Sequence, residues 1–202
     1  MFWGLSRLEL ILVRHGKPAV TPDFAGDPPL CAEGEQQAAW TAALLAGEAV
    51  QRIVASGMIR ARETARPLGD ALKLPIAVEP LLGEIDRLTG RYASIEMVRA
   101  QGEGEWARFL AGPLAYFGVD AAHFRADVLE GFRNVLAGGV RTVVYTHGFP
   151  INLLLAHALG LPDEARFVPA YGSVTRLRGH SLQQLVVMSV NETAHFPQAV
   201  AP

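Results

Sequence analysis

The sequence predicts an α/β fold: a three-layer αβα sandwich with a mostly parallel central sheet and an inserted helical lid. Three observations point there. Short apolar runs of strand length alternate with longer stretches whose apolar residues recur at helical spacing, the pattern of βα units. Half of the 202 residues are hydrophobic, enough for a full core in a chain of this length. The most reactive polar residues directly follow candidate strands, at 14–16, 56–60 and 147–148. Parallel sheets bind their ligands beyond those carboxyl ends.

The elements read as follows. Residues 8–13 (LELILV) form a short buried strand. Residues 17–29 contain Pro18, Pro22, Pro28 and Pro29 and therefore form a loop. Ala38, Ala42 and Leu45 share one face of a helix over 33–47, with Gly47 as its stop. Residues 52–55 are a short strand, Ser56-Gly57 a turn, 58–72 a helix and 76–78 another short strand. The stretch 83–118 is less regular, with several arginines, several glycines and Trp106, and reads as a lid with a helix near its middle. A helix over 121–136 ends at Gly138-Gly139, and 140–145 is a buried strand. Pro150, favoured in a first turn, opens a helix to about 159. Residues 174–177 and 185–190 suit a late hairpin. With no internal repeat and no low-complexity tract, the whole of 1–202 is expected to be one domain.

Composition removes several function classes. Eighteen basic and 20 acidic residues leave a net charge of −2, which does not suit a polyanionic partner such as nucleic acid. Only Lys17 and Lys73 are lysines, and a bias toward arginine in coding explains that without phosphate binding. Cys31 is the sole cysteine, so no internal disulfide forms and no Cys/His zinc spacing exists. Glu9 interrupts the first apolar run, and no apolar stretch reaches the length of a membrane span. The expectation is a soluble, cytoplasmic protein with no membrane partner, no metal and no cofactor. Nothing in the residues reports an oligomeric state.

Arg14-His15-Gly16 ends the first strand. Histidine is a nucleophile at neutral pH, arginine a permanent forked cation, and glycine lets a ligand approach the backbone. A phosphate monoester carries about −1.5 to −2 charges at neutral pH. Attack on it requires its oxygens to be neutralised and its leaving oxygen to be protonated. Arg14 and Arg60 suit the first need, His147 adds a donor, and helices starting near Met58 or Pro150 offer backbone N–H groups. His15 attacks through one ring nitrogen if the other N–H is held. For the proton, Glu84 and Asp86 lie just after a candidate strand; Glu84 is preferred, with a pKa raised by crowding and desolvation. Arg62 and Arg66 read as solvated, and Cys31 as a poor substitute for a helix cap.

These residues occur in blocks that resemble the histidine phosphatase superfamily, which includes the cofactor-dependent phosphoglycerate mutases. Arg14-His15-Gly16 is similar to its RHG motif. Ser56-Gly57-Met58-Ile59-Arg60-Ala61-Arg62-Glu63-Thr64-Ala65 is similar to its second block, Leu82-Gly83-Glu84-Ile85 to its acid-bearing block, and Tyr145-Thr146-His147-Gly148 to its second-histidine block. Asn191-Glu192-Thr193-Ala194-His195 resembles a C-terminal element common in it. The blocks keep the family's order across nearly the whole chain. The resemblance implies a phosphohistidine on His15, proton donation by Glu84, hydrolysis by water, and phosphoryl binding by Arg14, Arg60 and His147.

The chain departs from the mutase branch in telling places. Lys17-Pro18 follow the triplet, where many members carry an acidic residue, and the following loop is proline-rich. The acid block reads Glu84-Ile85-Asp86-Arg87 rather than Glu-Arg-His-Tyr-Gly, and Cys31 stands where threonine or serine is usual. The expected activity is therefore hydrolysis of a small phosphorylated metabolite without a metal, with Lys17 as a candidate substrate contact. A primer-dependent mutase and a non-catalytic phosphate- or phosphoprotein-binding module are the alternatives.

Overall fold

The computed structural model describes residues 8–20, 26–92, 94–161 and 167–197. Six strands form one sheet: β1 (Glu9–Arg14), β2 (Arg52–Ala55), β3 (Ile76–Val78), β4 (Thr142–Thr146), β5 (Val174–Arg178) and β6 (Val186–Glu192). Their order is β3-β2-β4-β1-β5-β6. The β3-β2, β2-β4 and β4-β1 pairs are parallel, whereas β1-β5 and β5-β6 are antiparallel. The sheet is thus mixed, parallel on the side built from βα crossovers and antiparallel where the late hairpin joins.

Strand alternation sorts the core into two layers. Leu10, Leu12, Val54, Val144 and Leu177 face one side; Ile11, Val13, Ile53, Val143 and Val174 face the other. The second side is covered by α1 (Ala32–Leu45) and α2 (Ile59–Leu72) through Ala42, Leu45, Ala61, Ala65 and Leu68. On the first side lie two later helices, 121–136 and 148–159, and the residues between β3 and the earlier of them. Every residue of β1 is buried, which explains why its sequence is a continuous apolar run broken only by Glu9, itself paired with Arg141 and Arg176.

The segment 83–118 differs from its sequence reading. In place of one central helix its described residues hold four short ones: α3 (Asp86–Thr89), α4 (Ile95–Ala100), α5 (Glu103–Ala111) and α6 (Pro113–Tyr116). Gly90 and Gly102 adopt φ of +69° and +104°, which a helix cannot continue through, and Pro113 restarts the chain as α6. Nor is the segment only a cover. Phe109 is fully buried and stacks with Trp106, and Ile95, Val98 and Leu114 join the same core.

Helix α7 (Ala121–Leu136) has the predicted bounds, with Asp120 capping its start. Helix α8 (Gly148–Leu159) begins two residues before Pro150, with His147 at its N-cap, so the proline sits inside the first turn rather than opening it. Cys31 occupies the N-cap of α1 and makes no side-chain capping bond, as its poor capping chemistry predicts. The loop 17–29 falls partly outside the described residues; within them, Pro18 forms an isolated bridge with Leu30.

Candidate active site

The parallel register places the three polar constellations at one end of the sheet. Arg14 pairs with Thr146 across β1 and β4, and Ala55 pairs with Tyr145 across β2 and β4, so His15, Ser56 and His147 emerge side by side. The His15 and His147 rings lie 4.9 Å apart. Arg60, in the first turn of α2, reaches the same end and donates from Nε to His15 Nε2 at 3.3 Å.

His15 is 2% exposed. Its Nδ1 lies 2.7 Å from the Gly16 carbonyl, which can only accept, so Nδ1 carries the proton. Nε2 is then the basic nitrogen, which agrees with its accepting from Arg60. Burial, then the Arg60 and Arg14 charges, hold the pKa of His15 well below its ordinary value. The ring is neutral, with its lone pair on the Arg60 Nε–H.

The loop carrying His15 is clamped from the opposite layer. Gly16 N–H donates to Thr64 Oγ1 at 2.9 Å, and Lys17 N–H donates to Gln37 Oε1 at 2.8 Å. Gly34, in the first turn of α1, lies against this loop backbone to backbone: a Cβ on Gly34 would sit 2.1 Å from the Lys17 carbonyl oxygen. A glycine inside a helix, where it costs stability relative to alanine, is the kind of sequence feature that marks so close a contact. Gly34→Ala is expected to lower stability by about 1–3 kcal/mol, the usual cost of overpacking, and to depress kcat because the clash pushes the nucleophile's loop. Thermal melts and steady-state kinetics check it; an unchanged kcat would show that the packing does not position His15.

Both arginines are engaged by carboxylates. Arg14 donates to Glu96 Oε1 at 2.7 Å and Oε2 at 3.2 Å, and to the Pro169 carbonyl at 2.6 Å, and it lies 3.9 Å over the Tyr171 ring. Its Nε is buried without a partner. Arg60 is fully buried; its Nη2 donates to both Asp86 oxygens at 3.0 and 2.9 Å and its Nη1 to Asp27 at 2.9 Å. His147, also fully buried, meets Ser56 Oγ through Nε2 at 2.7 Å and leaves Nδ1 unpaired. Burial, then Arg60, His15 and Arg14, lower the pKa of His147 and keep it neutral.

The geometry separates the two candidate acids. Asp86 accepts from Arg60 through both oxygens; burial raises its pKa, and the Arg60 charge and hydrogen bonds oppose that rise. Glu84 has no cationic partner among the described residues: it accepts from the Ile85 and Phe149 N–H groups at 3.0 and 3.1 Å. Burial, then the Asp86 charge, push Glu84 up to about 7. A carboxyl with that pKa is partly protonated near neutrality.

Arg14, His15, Arg60 and Glu84 line one cavity with Tyr92 and Ser94 of the 83–118 segment. Lys17 is elsewhere: its ammonium is exposed and paired with Glu33 at 2.5 Å. The helix N-termini are also taken, since Ile59 N–H donates to Asp27 and Phe149 N–H to Glu84. Among the segment's arginines, Arg87 pairs with Asp127, Arg108 with Glu105, and Arg99 lies over Trp106. His195 meets Thr41 and the Gly172 carbonyl, three residues after Pro169, whose carbonyl accepts from Arg14, and so braces the loop before β5. Asp27, Tyr92, Glu96 and Tyr171 had no motif to mark them. Among the described residues no group of three or more His, Cys, Asp or Glu side chains is arranged to hold a metal, and no helix is long and apolar enough to cross a membrane.

Comparison with known proteins agrees with the blocks in the sequence. The probable phosphoglycerate mutase GpmB of Yersinia enterocolitica is 26% identical over 211 residues, covering 94% of this chain and 95% of that protein. The protein of the same name from Enterobacter sp. is 29% identical over 173 residues, 78% of each chain. Similar solved structures include a phosphoserine phosphatase from Entamoeba histolytica in complex with 3-phosphoglyceric acid, at TM-score 0.72 and 22% identity, covering 93% of this chain and 98% of that one. A putative alpha-ribazole-5'-P phosphatase from Escherichia coli has TM-score 0.71 and 23% identity, covering 92% of this chain and 97% of that one. At such identities the structures speak to fold alone. The sequence profile of the histidine phosphatase superfamily (branch 1) matches residues 10–192, nearly the whole chain. The chain belongs to the histidine phosphatase superfamily.

Proposed function

We propose that this protein is a phosphatase that hydrolyses a small phosphate monoester through a phosphohistidine on His15. The observation that carries the reading is the neutral His15 ring, with Nδ1–H tied to a carbonyl and an unprotonated Nε2 that accepts from Arg60 Nε and would release that bond to attack phosphorus. In the first step Nε2 bonds to phosphorus, the ester P–O bond breaks, and the leaving oxygen takes the proton of Glu84. In the second, water gives a proton to the Glu84 carboxylate and attacks phosphorus. The N–P bond breaks, and inorganic phosphate leaves a neutral histidine. Arg14, Arg60 and the free Nδ1 of His147 meet the charge on the equatorial oxygens, a task for which guanidinium groups suffice without a metal ion.

Rapid acid-free quenching of turnover with radiolabelled substrate is expected to trap a label that is alkali-stable and acid-labile and maps to His15, with activity retained in chelator. A label on another residue, or none during turnover, overturns the reading. A second reading, phosphoryl-transfer mutase, is favoured by the names of the relatives above. Dependence of the reaction on a bisphosphorylated primer would establish it over hydrolysis.

A further inference from the structure

The cavity at His15 has a volume of about 10 Å³, room for at most one water molecule. A phosphoryl group enters only if a side chain moves. The Arg14 and Arg60 side chains are 5% and 0% exposed and are each fixed by several partners, and Asp86, 2% exposed, is held through both oxygens by Arg60. Glu96 is different: its side chain is 41% exposed and it stands on the six-residue helix α4. Its two oxygens lie on the Nη atoms of Arg14 as two phosphoryl oxygens would, and one also accepts from the Tyr171 hydroxyl at 3.3 Å.

A second position awaits the displaced carboxylate. Arg99 follows Glu96 by three residues on α4, so the two side chains are neighbours on the helix surface. Arg99 makes no ion pair among the described residues; its contact is the Trp106 ring at 5.3 Å. Beyond Glu96 and Tyr171 opens a groove of about 460 Å³, within the range of small-molecule sites, whose walls include Gln37, Arg99, Asn191 and Phe196. Its other charged wall residue, Glu33, is already paired with Lys17. With Glu96 turned to Arg99, every charge on the groove wall has a partner.

We propose that Glu96 is a tethered competitor for the phosphoryl seat on Arg14, that it turns to Arg99 when substrate enters, and that the groove behind it receives an uncharged leaving group. The substrate class is then a phosphate monoester of a neutral alcohol, such as a polyol or a nucleoside, rather than a phosphorylated acid or a bisphosphate. The proposal rests on the reading of Arg14 as a phosphate ligand.

Inorganic phosphate has no leaving group and so probes the seat alone. Its inhibition constant is measured for the parent, Glu96→Gln, Arg99→Gln and the double variant. If the open arrangement is about a tenth of the population, Glu96→Gln tightens phosphate about tenfold. Arg99→Gln weakens phosphate in the parent and has no effect once Glu96 is replaced. Unchanged or weaker phosphate binding in Glu96→Gln overturns the gate, as does an Arg99→Gln effect that persists in the double variant. Arg14→Gln separates the underlying reading, because phosphate binding that survives this change removes Arg14 from the site whatever Glu96 does. For the groove, glycerol 3-phosphate is expected to exceed 3-phosphoglycerate in kcat/KM. Preference for the acid, lost in Arg99→Gln, would show that Arg99 reads a substrate anion and would overturn the neutral class.

Discussion

His15→Ala is expected to reduce turnover by at least about 10⁴-fold, because the remaining arginines can hold a phosphoryl group but nothing replaces the nucleophile. His15 is buried between His147 and Tyr171, so the truncation also opens a small cavity and lowers the melting temperature modestly. Phosphate binding distinguishes the two effects. A folded His15→Ala protein that still binds phosphate yet neither turns over nor takes up label supports the covalent mechanism. Substantial residual hydrolysis in such a protein would overturn it, and would point to direct attack by water.

Glu84→Gln carries the second largest effect. Loss of a general acid costs about 10²–10⁴-fold. The loss should be greatest for alkyl phosphates, whose leaving oxygens need the proton, and small for nitrophenyl phosphate, whose leaving group departs unprotonated. In the parent, kcat/KM for alkyl esters is expected to fall as pH rises through about 7, where Glu84 loses its proton. That limb should vanish in the variant. If Asp86→Asn abolished the limb and Glu84→Gln did not, the acid would be Asp86.

The same group ties stability to pH. The folded-state pKa of Glu84 lies near 7, above its ordinary 4.5, so the native state binds the proton more tightly than the unfolded chain. The resulting stabilisation is full below about 4.5 and is lost as pH rises through 7, an effect of order 3 kcal/mol. The stability difference between Glu84→Gln and the parent should therefore move in the variant's favour from pH 5 to pH 8, as followed by denaturant melts. A difference that stays constant with pH would show that Glu84 is not the titrating group.

Much of this is legible in the sequence. The buried run of β1 and the helical spacing in α1, α2 and α7 are local patterns, and their positions agree with the structure to within a few residues. The blocks around His15, Arg60, Glu84 and His147 have a motif to mark them, and the parallel crossovers explain why they meet. The 83–118 segment is less legible. Its helices are too short for periodicity to show, and Gly90, Gly102 and Pro113 set their ends.

The sequence by itself determined the αβα architecture, the family and the set of side chains gathered at the sheet's carboxyl end, because hydrophobic period and short motifs are properties of neighbouring residues. Only the tertiary structure decided which ring nitrogen of His15 carries the proton, that Asp86 lies on Arg60 while Glu84 accepts from backbone N–H groups, and that Lys17 turns to Glu33 while Glu96 sits on Arg14. Most of these depend on contacts across a long stretch of chain: 82 residues between Arg14 and Glu96, 65 between Glu84 and Phe149, and 45 between His15 and Arg60. Hydrogen-bond partners, burial and like-charge proximity set protonation and pairing, and no local pattern records them.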